Sequence, residues 1–255
     1  MDDLILKCGD SYELIKTIPD NTVDLIIIDP PYEYVTDKGG EKFGKLSYHK
    51  EYTELGRTQL DKNKIKARKQ LGSLACGFDY SILDELQRVM KKTNIYIWCS
   101  KRQLSTLLNY YEEQGCNIDL LAWHKTNPCP TANNTYLSDT EYLIFARDKG
   151  VKLHGTIATK RKYYVSSTNV EDKKIYKHPT VKPQHIIENL IINSSEAGQT
   201  ILDCFLGSGT TGAAAVKLNR KFIGFEINET FFNTASKRIK EQITQITFDD
   251  LLGAQ

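Results

Sequence analysis

The chain has 255 residues, 40% hydrophobic and 26% charged, with a net charge of +2. That balance excludes a disordered chain and suits one α/β domain with a sizeable core. It contains no run of 18 or more apolar residues and no basic-then-apolar leader, so a cytoplasmic protein is expected rather than a secreted or membrane-spanning one. Cys8, Cys76, Cys99, Cys116, Cys129 and Cys204 form no Cys-x-x-Cys pair. They read as reduced thiols, buried where they fall in predicted strands, and no metal site is expected.

Residues 3–8 read as a strand, followed by a helix to about Ile18 with Asp10 or Ser11 as its cap. Val23 to Ile28 is a nearly unbroken, β-branched apolar run, the pattern of a strand buried on both faces of a parallel sheet. It ends in Asp29-Pro30-Pro31-Tyr32. The two prolines fix two φ angles, remove two N–H donors and push the residue before them towards extended backbone. A carboxylate, a carbonyl without a local partner and an aromatic ring are thereby held at a strand's carboxyl end, the edge where open α/β sheets bind ligands.

Residues 33–77 are polar and aperiodic. Arg57, Lys62, Lys64, Lys66, Arg68 and Lys69 face Asp61 alone between Arg57 and Lys69, and this basic run so close to the tetrapeptide predicts phosphate contact. Helical spacing returns with Ile82, Leu83, Leu86, Val89 and Met90. Asn94–Cys99 is a strand, Leu104–Gln114 a helix stopped by Gly115, and Asn117–Trp123 and Glu141–Ala146 are two more strands. Trp123-His124-Lys125-Thr126-Asn127-Pro128 reads by itself as a strand end and a turn. From Lys149 to Lys177 the chain is basic and irregular, with Lys160, Arg161 and Lys162 beside Tyr163 and Tyr164. That composition suits a nucleic-acid surface and, equally, a solvated excursion.

His178-Pro179-Thr180-Val181-Lys182-Pro183 leads into an apolar helix, Ile186–Ile192, with Pro183 as its first residue. Thr200–Cys204 is a buried-type strand that runs into Asp203-Cys204-Phe205-Leu206-Gly207-Ser208-Gly209-Thr210-Thr211 and an alanine-rich helix, Gly212–Leu218. Strand, glycine turn and helix make a nucleotide-binding opening, because the glycines let backbone approach a ligand beside free helix N–H groups. Lys221–Phe225 is a strand ending in Glu226, roughly the ~20-residue spacing at which an acid meets ribose hydroxyls. A helix from Glu229 to about Ile243 closes the chain, with a frayed acidic end from Phe248.

Asp-Pro-Pro-Tyr after a buried strand, then His-Pro-Thr-x-Lys-Pro, then Asp-x-Phe-x-Gly-Ser-Gly-Thr-Thr resembles the β group of S-adenosylmethionine-dependent DNA amino-methyltransferases acting on adenine N6 or cytosine N4. The resemblance covers residues 4–243 apart from the lysine-rich insertion. It implies a Rossmann-like α/β fold in permuted motif order: a seven-stranded, mostly parallel sheet with one antiparallel strand and helices on both faces. One methyltransferase domain over residues 1–255 would carry a basic insertion at 33–77 and a short DNA-recognition segment at 149–177.

The resemblance also implies roles. Asp29 and the Pro30 carbonyl would hold the two hydrogens of an exocyclic amino group and favour a pyramidal nitrogen with its lone pair free. Pro31 would complete the rigid elbow, and Tyr32 would stack on a base taken out of the duplex. Asp10 and Glu226 would bind the adenosyl part of S-adenosylmethionine. Asp203, Phe205, Gly207, Ser208, Gly209, Thr210 and Thr180 would surround the rest, with Lys182 on the methionine carboxylate and Trp123–Pro128 lining the base pocket. The implied partner is DNA, chiefly double-stranded, met by the basic residues from Arg57 to Lys69 and from Lys160 to Lys162. A homodimer and a cognate restriction endonuclease stay open. Asp at position 29 favours adenine, since Ser is common there in cytosine-N4 enzymes. Cytosine-N4 methylation and a non-catalytic nucleic-acid-binding subunit stay open as alternatives.

Overall fold

Strands that are apolar at every position need cover on both sides, and the chain supplies it from two sets of helices. The computed structural model describes residues 3–33, 77–128 and 136–253; the basic run from Arg57 to Lys69 lies outside the described residues. The strands are Leu4–Cys8 (β1), Leu25–Ile28 (β2), Asn94–Cys99 (β3), Asn117–Lys125 (β4), Thr140–Arg147 (β5), Tyr163–Ser166 (β6), Thr200–Asp203 (β7) and Lys221–Glu226 (β8). They form one sheet in the order β1-β8-β7-β2-β3-β5-β4-β6. Among the described strands only β5 runs antiparallel, against β3 and β4.

Alternate residues of β2 serve the two faces. Ile26 and Ile28 join the core under Ser11–Leu14 (α1), Ile82–Val89 (α2) and Leu104–Glu113 (α3), through Leu83, Leu86, Leu107 and Tyr111. Leu25 and Ile27 join the opposite core under Gln184–Ser194 (α5), Thr210–Lys217 (α6) and Glu229–Gly253 (α7), through Ile187, Leu190, Ala214 and Ile239. This two-faced cover is why the central strands read as continuous hydrophobic runs.

Several expectations are corrected. Among the described residues the sheet has eight strands rather than seven, because β6 pairs in parallel with β4 at the sheet edge. Its alternation is clear only in place: Tyr164 is buried, and Trp123 Nε1 donates to Ser166 Oγ at 2.9 Å, while Tyr163 and Val165 face outwards. The basic segment also contains a short helix, Val170–Ile175 (α4). Pro183 is extended and precedes the first turn of α5 rather than opening it. The alanine-rich helix starts two residues early, at Thr210, and the last helix runs on to Gly253 rather than fraying from Phe248. Cys8 is exposed, whereas Cys99 and Cys204 are buried.

Chain direction matters for the site. From β2 the sheet grows one way through β3, and the other way through β7, β8 and β1. The crevice at such a switch lies beyond the carboxyl ends of β2 and β7.

Candidate active site

On one side of the crevice the groups are held mainly by backbone. Glu226 ends β8 level with Cys8 of β1, so Asp10 follows on the neighbouring strand end, where its carboxylate caps α1 by accepting from Tyr12 N at 2.9 Å. Asp203 ends β7 and accepts from Phe205 N at 3.0 Å. Gly207 and Gly209 both have positive φ, 52° and 76°. A Cβ at Gly209 would lie 2.9 Å from the Cα of Ala235 on α7, so only glycine lets the turn press this closely. Glu226 braces the same turn: one carboxylate oxygen accepts from Gly207 N and the other from Asn228 N, both at 2.8 Å. Arg238, buried on α7, donates to Thr210 Oγ1 at 2.8 Å and to the Ser208 carbonyl at 3.3 Å. Burial pushes the Asp203 carboxyl up to about 7, against the hydrogen bonds from Thr211 and Phe205. It also raises Glu226.

The other side is a chain of alternating charges. The Lys182 ammonium sits 2.5 Å from Asp29 Oδ2 and 3.2 Å from Glu141 Oε2. Lys125 binds the second Glu141 oxygen at 2.6 Å, and Tyr32 Oη donates to Glu141 Oε2 at 3.1 Å. The rings of Tyr32 and Trp98 flank the ammonium, with centroids 5.2 and 4.9 Å away. Burial opposes the charge on Lys182, but the two carboxylates together raise its pKa. Burial also works against the Glu141 charge, yet Lys182 and Lys125 bring its carboxyl down to about 2. Asp29 is raised, by burial first and then by the charge of Glu141, with Lys182 opposing.

The proline elbow itself is tied down. Gln103 Nε2 donates to the Pro31 carbonyl at 3.0 Å, Gly77 N to that of Tyr32 at 3.1 Å, and Ser100 Oγ to that of Glu33 at 3.2 Å. Among the described residues no donor reaches the Pro30 carbonyl.

Both sides open into one cavity of about 780 Å³, within the usual size range of small-molecule sites. It brings together Asp29, Pro30, Pro31 and Tyr32 with Asp10, Thr180, Lys182, Asp203, Phe205, Gly207, Ser208, Thr210 and Glu226. Gly209 stands just outside, packed on α7. Lys182 is engaged by Asp29 and Glu141 on the Tyr32 side of the cavity, rather than free beside the glycine turn. Lys160, Arg161 and Lys162 precede β6, whose first residue, Tyr163, pairs with Ala122 of β4, so they lie level with residues 119–121 and away from the carboxyl edge. There Lys162 pairs with Asp119, and Arg161 donates to Tyr163 Oη at 2.9 Å.

Sequence reasoning missed Glu141, Trp98, His178 and Phe231 in the cavity wall. His178 was in view as part of its motif. Its ring packs edge-on to Phe231 at 4.5 Å, and burial together with the Lys182 charge lowers it to about 4. Glu141 carried no local signal beyond opening a strand.

A mostly parallel sheet, a glycine turn after one strand and acids ending its neighbours define a Rossmann-like S-adenosylmethionine-dependent methyltransferase. The chain belongs to the N6/N4 DNA methylase family, whose model matches residues 23–237. It is 29% identical to the type II methyltransferase M2.LlaDCHI of Lactococcus lactis subsp. cremoris, over 95% of this chain and 91% of that one. It is 27% identical to M2.DpnII of Streptococcus pneumoniae, over 94% and 90%. The crystal structure of an M1.HpyAVI–SAM complex superposes with a TM-score of 0.64 at 25% identity, covering 92% of this chain and 98% of that chain. The cytosine-N4-specific PvuII DNA methyltransferase superposes at 0.65 with 18% identity, over 96% and 92%, a likeness of fold alone.

Proposed function

We propose that this chain methylates adenine N6 in double-stranded DNA, and that residues 1–255 work as one catalytic domain. The observation that carries the reading is the pairing, at one strand end, of the Asp29 carboxylate with a Pro30 carbonyl that no described donor reaches. An exocyclic amino nitrogen is a poor nucleophile while its lone pair is delocalised into the ring. Two acceptors on its two hydrogens favour the pyramidal form, and a rigid elbow keeps them aimed, so orientation and electrostatics do most of the work. Tyr32 stacks on the extruded base, and its hydroxyl is kept on Glu141. Asp29 is then placed to hold the proton that the methylated nitrogen sheds.

On the other side the residues fit S-adenosylmethionine. Glu226 ends β8 and Asp10 stands just past the end of the adjacent β1, both lining the space for one adenosyl group, and the turn from Asp203 to Thr210 with Thr180 encloses the remainder. The cofactor supplies an electrophilic methyl group on a positively charged sulfur. Lys182 belongs to the base side in this reading. Its relatives' type II names suggest a cognate endonuclease as companion and a cytoplasmic setting; among the described residues no helix is long and apolar enough to cross a membrane. The outer edge of β6, with Tyr163 and Val165 exposed, is where a homodimer would form.

The test is incubation with tritiated S-adenosylmethionine and unmethylated genomic DNA, followed by nucleoside chromatography. Label in N6-methyladenine is expected. Label in N4-methylcytosine would move the target to cytosine, and cofactor binding with no label in DNA would mean a non-catalytic subunit.

A further inference from the structure

Part of the place where a target amino group has to bind is already taken. Lys182 puts an N–H donor on Asp29 Oδ2 at 2.5 Å, and its ammonium lies between the rings of Tyr32 and Trp98. It therefore engages one of the two carboxylate oxygens that the amino group needs and places a cation beside the ring that would stack on the base. Displacing it into an apolar wall would strand a buried charge, which is costly. Glu141 offers the alternative. Lys125 fixes one of its oxygens at 2.6 Å, which turns the other towards Lys182, 3.2 Å away and shared, among the described residues, with the Tyr32 hydroxyl. The ammonium can leave Asp29 for Glu141 by a small rotation of its own side chain.

We infer that Glu141 is a positioning residue, which shares the Lys182 ammonium with Asp29 in the empty site and takes it over when an amino group claims Asp29. The inference rests on the reading of the chain as a DNA amino-methyltransferase. It gives Glu141 a role that depends on Lys182, which distinguishes it from a group that merely supports Tyr32.

A double-mutant cycle on KM for DNA tests this, with tritiated S-adenosylmethionine at saturation and folding of each variant checked by thermal melting. In Glu141→Gln the ammonium has Asp29 as its remaining carboxylate. With the ammonium shared equally in the wild type and on Asp29 about nine-tenths of the time in the variant, the free fraction falls from about a half to about a tenth and KM rises about fivefold, because only the free fraction accepts the base, while kcat changes less. In the Lys182→Met background the same Glu141→Gln substitution should leave KM where Lys182→Met alone puts it. An equal rise in KM in both backgrounds overturns the inference, and so does no rise when Lys182 is present. Should Glu141→Gln fail to fold, Glu141→Ala enters the cycle in its place, with the same expectation. Absence of label with the wild-type chain would overturn the reading and the inference together; label with an additive cycle overturns the inference alone.

Discussion

The cofactor side of the cavity is fixed by backbone, with Glu226 and Asp203 accepting from main-chain N–H groups of their own or a neighbouring turn. The base side is fixed by side chains, with Asp29, Glu141, Lys125 and Lys182 holding one another through ion pairs. The two sides meet the demands of different ligands. A cofactor whose adenosyl and amino-acid parts are the same before and after it gives up its methyl group suits a rigid cradle. A base that has to enter from a duplex suits a site whose charges can exchange partners. Rigidity comes from glycines and strand ends, exchange from long cationic side chains with two carboxylates in reach.

The largest effect expected on the base side comes from Asp29→Ala, which removes one of the two acceptors. Methyl transfer should fall by about 10²-fold or more, the range for losing an aligned group at the reacting centre, with the melting temperature little changed. Because burial and the charge of Glu141 raise the Asp29 carboxyl, kcat/KM of the wild type should decline with falling pH above the ordinary carboxylate range. Near-normal turnover in the variant would make the elbow a structural turn and dissolve the contrast.

On the cofactor side the corresponding break is Glu226→Ala, which leaves the N–H groups of Gly207 and Asn228 without their acceptors. Affinity for S-adenosylmethionine should weaken by about 1.5–3 kcal/mol, the range for losing a hydrogen bond to a charged group, as read by titration calorimetry. Intrinsic DNA affinity should hold. Equal loss of both would mean that the two sides are mechanically one.

These two sides were not equally legible in the sequence. The glycine turn is readable because its pieces are contiguous, from Asp203 to Thr211, and its helix follows at once. Asp10 and Glu226 could be matched because each stands at or just past the end of a strand with an apolar pattern. Glu141 could not be found in this way: it meets Tyr32 across 109 residues, and nothing local marks a strand's second residue as part of a site. Lys182 was visible in its motif, but its partner is 153 residues away, and the sequence pointed it at a ligand rather than at Asp29. The strand β6 was hidden for another reason. Four residues with lysine and arginine just before them look solvated until Tyr164 is seen packed in the sheet.

A smaller effect sharpens the picture of the rigid side. Asp203 is held at about 7, above its ordinary 3.8, so between those values the folded chain keeps a proton that the unfolded chain has lost. Its contribution to stability is present at the acid end and declines as pH rises to about 7, where it levels off. His178, lowered to about 4, bends stability the opposite way over much of the same window, so the informative quantity is the difference between wild type and variant. Asp203→Asn removes the buried charge and should melt higher than wild type above pH 7. A gain of about 1 kcal/mol corresponds to roughly 2–4 °C for a chain of this size. A variant that melts parallel to wild type from pH 4 to 8 would show that the carboxyl is better solvated than its burial indicates.

The smallest effect separates the two ends of β6. Lys160, Arg161 and Lys162 stand at its amino end, one paired with Asp119 and one with Tyr163. Past its carboxyl end, α4 carries Lys173, whose ammonium loses proton affinity to burial and to the nearby charges of Lys125 and Lys182. Lys173 therefore stands near Lys125 and Lys182, on the base side of the cavity, where the phosphates flanking an extruded nucleotide would pass. Removing one phosphate contact lowers the log–log slope of DNA affinity against salt by about 0.9. Lys173→Gln should show that decrease, whereas neutralising Lys160, Arg161 and Lys162 together should leave the slope as it is, measured by fluorescence anisotropy over a salt series. A fall of about 2.7 in the triple variant, with none in Lys173→Gln, would put the duplex across the amino end of β6. The flipped nucleotide would then have to reach Asp29 along the length of β4, and the placement of DNA over the carboxyl edge would be wrong.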